Sequence, residues 1–124
     1  ENGLRVKARI SNLSPGAHGF HIHTYGDCSA PDAGSAGGHF NPHDKPHGAP
    51  DDDQRHVGDL GNIVADQNGV AVAEFVDPLI TLDGENAILG RAVIVHAKPD
   101  DFTSQPTGDA GDRLACGVVG YSQK

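Results

Sequence analysis

Leu4-Arg5-Val6-Lys7-Ala8-Arg9-Ile10 decides the fold class. A period of two puts Leu4, Val6, Ala8 and Ile10 on one face of an extended chain and the basic residues on the other, as in a half-buried β-strand. Working outward, strand-like stretches recur at residues 18–23, 57–65, 70–76, within 87–97 and at 114–121. The turn Asp66-Gln67-Asn68-Gly69 separates the third from the fourth, and its Asn-Gly pair is a strong hairpin signal. Seventeen glycines and eight prolines fill the intervals. Six short strands with long loops predict an all-β, antiparallel sandwich or barrel, organised as one domain over residues 1–124. No apolar run is long enough to span a membrane, and no internal repeat is visible.

The second stretch, His18-Gly19-Phe20-His21-Ile22-His23, belongs to a chain with eight histidines. Alternation points His21 and His23 to one side and His18, Phe20 and Ile22 to the other. Two imidazoles on one strand face form a half-site for a transition metal. His18, sharing a face with Phe20 and Ile22, reads as a buried histidine bonded to backbone. His39, His43, His47 and His56 fall in a Gly- and Pro-rich segment without periodicity, and Asp59 follows His56 by three positions. Histidines with a carboxylate suit zinc, which takes four N, O or S ligands. His96 ends the apolar run Ala92-Val93-Ile94-Val95, at the rim of a buried strand. The candidates are enough for two metals and too many for one.

The formal charge of −8 leaves no basic stripe to meet phosphates and argues against nucleic acid as a partner. It does not exclude an anionic small substrate, because the field at a metal can oppose the net charge. Cys28 and Cys116 read either as a disulfide, worth roughly 4–5 kcal/mol in the chain-entropy model, or as two free thiols with one ligating a metal. Asn12-Leu13-Ser14 is a formal glycosylation sequon, with Pro15 directly after it disfavouring its use. No signal peptide is visible, which leaves the compartment open between cytoplasm and extracellular space. The start at Glu1 without methionine predicts a processed, excised or engineered product.

Four motifs carry a resemblance over essentially the whole chain: His18-Gly19-Phe20-His21-Ile22-His23; Gly38-His39-Phe40-Asn41-Pro42; Arg55-His56-Val57-Gly58-Asp59-Leu60-Gly61-Asn62; and Arg113-Leu114-Ala115-Cys116-Gly117-Val118. In this order they resemble the copper/zinc superoxide dismutases. The resemblance implies a Greek-key barrel and the disproportionation of superoxide to dioxygen and hydrogen peroxide. It implies copper held by His21, His23, His39 and His96, and zinc held by His39, His47, His56 and Asp59, with His39 bridging the two. It further implies Asp100 bonded to the outer nitrogens of His21 and His47, a Cys28–Cys116 disulfide, and Arg113 as the group that attracts superoxide, helped by Lys98. In the family's cycle His39 takes up and returns a proton. Tyr25, Leu89, Gly90, Val118 and Tyr121 match the family's dimer patch, and a copper chaperone is a further implied partner.

The chain departs from the family at its start: residues 4–10 match the third of eight strands. This predicts an opened barrel with unpaired edges at 4–10 and 114–121, completed by a homo-oligomer or a strand-completing partner. The loop at 101–107 is shorter than in cytosolic eukaryotic members, which predicts weaker salt dependence of the rate. Cys28 also comes earlier than in those members. The alternative to an enzyme is a non-catalytic domain of the same fold, of metal-binding, copper-chaperone or interaction type. The absence of Cys-x-x-Cys and Cys-x-Cys motifs and the presence of Arg113 favour the enzyme.

Overall fold

A computed structural model describes residues 3–121. The opening alternation becomes β1 (Leu4–Ile10), half-buried and exposed by turns along its length. The other strands are β2 (Gly16–His23), β3 (Asp59–Ala65), β4 (Ala71–Asp77), β5 (Ala92–His96) and β6 (Arg113–Val118). Among the described residues the only helical element is a short 3-10 turn at Gly34–Ala36. The chain is thus all-β and antiparallel, with one sheet in the order β1-β4-β3-β2-β5-β6. Its two edges are the β1 and β6 strands expected to be edges.

Strand bounds differ from the sequence expectation where main-chain hydrogen bonds go elsewhere. The third strand starts at Asp59 rather than 57, because Gly58 gives its N–H to Phe40 O and accepts from Ile22 N. The last strand stops at Val118, because Val119 exchanges main-chain bonds with Gly90 and Arg91. The Asn-Gly turn is present, with Asp66 Oδ1 accepting from the N–H groups of Asn68 and Val70. Beyond it β3 and β4 pair only at Ala65↔Ala71 before β4 departs to pair with β1 from Ile10↔Ala71 to Leu4↔Asp77. This splay curls the sheet around a core of Phe20, Ile22, Leu60, Ile63, Ile80, Ile88 and Val95. Phe20 and Phe75 meet edge to face at 6.5 Å inside it.

The outer face of the central strands is buried too. Ala92 and Ile94 on β5 pack with Ala33 and Ala36 from the loop after β2, and Cys116 packs against them. The Cys28–Cys116 disulfide ties that loop to β6. β2 also loses its alternation and is buried on both faces from His18 to His23. Of the histidines there, His18 faces the core side and bonds main-chain carbonyls: Nδ1 meets His96 O at 2.7 Å and Nε2 meets Ser14 O at 2.7 Å.

Among the described residues, an arginine–aspartate pair lies in the interior. Arg55, 2% exposed, meets Asp77 at 2.8 Å and also donates to the carbonyls of Pro50, His56 and Val57. Asp77 in turn accepts from the N–H groups of Leu79 and Ile80. Arg55 thereby fastens the loop before β3 to the end of β4.

Candidate metal centre

Two irregularities in the sheet aim the site. The register shifts between Gly19 and His21 where β2 meets β3, and between Val95 and His96 where β5 meets β6. Such bulges bend a strand and redirect its side chains. His21 and His23 on β2 and His96 on β5 then converge outside the core, while His39 arrives on a segment bridged to the end of β2 through His23↔His39. All four are buried, and each has one ring nitrogen with no partner: His21 Nδ1, His23 Nε2, His39 Nε2 and His96 Nε2.

The opposite nitrogens explain why. His21 Nε2 donates to Asp100 Oδ2 at 2.7 Å, His23 Nδ1 to Gly37 O at 2.8 Å and His96 Nδ1 to Gly111 O at 3.2 Å. With the proton assigned to those atoms by their acceptors, the orphaned nitrogens carry lone pairs. A buried polar atom left unpaired costs about 1–3 kcal/mol, and four gathered together make a ligand set for an ion. Burial drives the His23 pKa down to about 2 and those of His39 and His96 to about 4; neighbouring cationic groups, Arg113 among them for His23 and His96, push the same way. Burial also lowers that of His21. All four rings are neutral at pH 7, as ligation requires. An all-imidazole set suits Cu(II) among the transition metals.

The second group shares His39. Its Nδ1 lies 2.9 Å from Asp59 Oδ1 and 3.1 Å from His56 Nδ1; His47 Nδ1 lies 2.9 Å and His56 Nδ1 3.3 Å from the same oxygen. Metal–ligand bonds of about 2.0–2.1 Å in a tetrahedron place the ligands about 3.3 Å apart. Three nitrogens and one oxygen at nearly that spacing are a zinc-type set, and His39 presents one nitrogen to each group. Asp59 Oδ2 is held by the N–H groups of Gly48 and His56. Burial opposes its charge, yet bonds from His39, His47 and His56 outweigh this and hold the carboxyl far below its usual range. Burial likewise opposes charge on His47, and contacts with Asp100 and Asp59 overcome it and raise its pKa to about 9.

Asp100 joins the groups. Its two oxygens accept from His21 Nε2 and His47 Nε2, each at 2.7 Å. Three residues to which the sequence assigned no role of their own support this link. Asn62 on β3 pairs its side-chain amide with the main chain of Asp100, at 2.7 and 3.0 Å. Gln105 does the same to His47, at 2.7 and 3.0 Å. Gly108, at φ +73°, lies so close that an added Cβ would fall 2.0 Å from Asp100 Oδ1, so only glycine seals the bond. An asparagine within a strand, a setting that disfavours it, is the one sequence cue among them.

The remaining candidates lie outside the two ligand groups. Arg113 opens β6 and donates to Ala33 O at 2.9 Å, lining a cavity of about 540 Å³ with Asp32, Gly34, Asp112 and Leu114. Lys98 is paired with Asp109 at 3.3 Å. His43 stands apart, bonded to Asn86 Oδ1 at 2.7 Å. Tyr25, Gly90, Val118 and Tyr121 are exposed and Leu89 is half-buried. Gly26 packs against Gly90 and Val118, so Tyr25, Gly90 and Val118 belong to one surface region.

The lowered histidines fix how the metal-free protein responds to acid. An unfolded histidine titrates near 6.5, whereas His39 and His96 titrate at about 4 and His23 at about 2 when folded. Between those values the unfolded state binds more protons, so stability rises with pH. His47 is charged in both states there and drops out. We expect the urea midpoint of metal-free protein to fall steadily from pH 6.5 to 4; a flat midpoint would refute the assignment of neutral rings.

Comparison with known proteins bears on the same residues. Residues 1–119 match the copper/zinc superoxide dismutase (SODC) family model. Superoxide dismutase (Cu-Zn) A of Xenopus laevis is 50% identical over 127 residues, covering 98% of this chain and 83% of that protein. Superoxide dismutase (Cu-Zn) 3 of Arabidopsis thaliana is 51% identical over 121 residues, covering 93% and 73%. Among solved structures, the crystal structure of the clock protein EA4 superposes with a TM-score of 0.91 at 47% identity, covering 97% of this chain and 80% of that one.

Proposed function

The chain belongs to the copper/zinc superoxide dismutase family, and from that premise we infer that it disproportionates superoxide to dioxygen and hydrogen peroxide. The observation that carries this reading is the convergence of four orphaned imidazole nitrogens beside a shared histidine and a second, tetrahedral-type set. We assign His21, His23, His39 and His96 to copper, and His39, His47, His56 and Asp59 to zinc. Bound copper supplies the one-electron cycling that the reaction needs, and zinc, which has no redox chemistry, supplies structure and charge.

The chain's own groups supply the rest. Arg113 gives the local positive charge that draws an anion into a protein of net charge −8. His39 Nε2, sheltered from other hydrogen-bond partners, is the atom at which the chain holds and returns a proton. Asp100 fixes the tautomers of His21 and His47, which keeps His21 Nδ1 and His47 Nδ1 free to ligate. The non-catalytic alternative finds no support, since both ligand groups are complete.

The test is metal content and superoxide consumption on one sample. About one copper and one zinc per chain with cyanide-sensitive activity is the expected result. Zinc without copper, and no activity after copper loading, would overturn the reading. We further propose two partners from the family reading: a copper-delivering chaperone, and a second copy of the chain on the surface around Tyr25, Leu89, Gly90, Val118 and Tyr121. Four of these residues are exposed, and two of those are tyrosines, an interface-rich type. Sedimentation at the monomer mass across concentrations would refute the second copy.

A further inference from the structure

We propose that Gln105 is a positioning residue for the zinc ligand His47. The inference rests on the zinc assignment above and goes beyond it, because nothing in the ligand motifs points to Gln105.

His47 lies between β2 and β3 in a stretch without regular secondary structure. Its main-chain N–H and C=O therefore have no ladder partner, although its ring is fully buried. Gln105 takes the partner's place. Its Oε1 accepts from His47 N at 2.7 Å and its Nε2 donates to His47 O at 3.0 Å. One side-chain amide thus grips one residue from both sides, as a neighbouring strand would. The same Nε2 also donates to Thr103 O at 3.1 Å, which sets the angle of the side chain from its own loop.

The grip matters because of what holds the ring. His47 Nδ1 faces Asp59, and His47 Nε2 donates to Asp100, which stands on the same loop as Gln105. That loop therefore holds His47 at two points five positions apart, one on the ring and one on the main chain. Rotation of the ring or displacement of its backbone would take Nδ1 out of the ligand set; the Asp100 bond opposes the first and the Gln105 clamp the second. At the other end of the His47–Asp100 bond, Asn62 grips the main chain of Asp100 in the same reciprocal way. An exposed glutamine ordinarily gives its amide to water; here the amide is committed to a ligand's backbone. Outer partners that orient a ligand typically change metal affinity by about 10–100-fold when removed, and a main-chain clamp belongs at the lower end.

The experiment compares zinc release to excess chelator from the unaltered protein, Gln105→Met, Gln105→Glu and Ser104→Ala. Cobalt(II) placed in the zinc site reports ligand geometry through its visible spectrum. Gln105→Met keeps length and removes both bonds; Gln105→Glu keeps the acceptor for His47 N alone. Ser104→Ala removes the Ser104–Asp101 hydroxyl bond within the loop and does not touch His47. We expect release about 10-fold faster with a shifted cobalt spectrum in Gln105→Met, an intermediate value in Gln105→Glu, and little change in Ser104→Ala. Unchanged release and spectrum in Gln105→Met would overturn the proposal. Equal loosening by Ser104→Ala would also overturn it, since the effect would then be loop stability. Failure of the unaltered protein to hold zinc would refute the family assignment of the site instead.

Discussion

Replacing Arg55 with methionine is expected to destabilise the protein by about 3–5 kcal/mol, the usual consequence of removing one partner of a buried ion pair. Arg55 and Asp77 are each 2% exposed. Without the guanidinium, Asp77 keeps only the N–H groups of Leu79 and Ile80, and its charge stays in the interior. The carbonyls of His56 and Val57 lose their Arg55 donor at the same time. Replacing Asp77 as well, with leucine, removes the stranded charge, so the double variant should recover part of the loss. Urea unfolding of the two variants and the parent decides the matter. A loss below about 1 kcal/mol for Arg55→Met would place the pair among those that contribute nothing.

The second large effect is on metals. Asp100→Ala should weaken zinc binding by about 10–100-fold, with copper loosened as well, because one carboxylate orients a ligand in each group. The change removes the acceptors for His21 Nε2 and His47 Nε2, both buried, so each ring can present the wrong nitrogen to its ion. Competition with chelators of graded strength measures it for each metal. Unaltered zinc affinity would show that the tautomer of His47 is fixed by Asp59 alone. Asp100→Asn should fall between, since an amide still offers one acceptor.

Much of this was legible in the chain. The alternation of Leu4–Ile10 and the Asn68-Gly69 turn specify strands and a hairpin through local rules alone. His21 and His23 declared themselves because two like ligands at a spacing of two must share a strand face. The strand ends were less legible, since Gly58 and Val119 take their hydrogen bonds from residues remote in sequence. The outer burial of β2 was equally hidden: its His21 and His23 are covered by Asp100, by Gly37 and by His39, all remote in sequence. The roles of Gln105, Asn62 and Gly108 were hidden for one reason. Each acts on another residue's main chain or on the space beside it, and composition and spacing do not encode such contacts.

The strand order has a kinetic consequence. The zinc set runs from His39 to Asp59, 20 positions, whereas the copper set runs from His21 to His96, 75 positions, and closes only when β5 docks on β2. Loop-closure entropy grows as three-halves RT ln n, so the longer closure is about 1 kcal/mol dearer before any contact repays it. Pairings between distant strands also form slowly. During folding, then, the zinc ligands can be gathered by a local event and the copper ligands only by a global one, which orders the two metals in time: zinc can be held loosely on a half-formed chain and tightened when Asp100 docks on His47, while copper waits for the sheet.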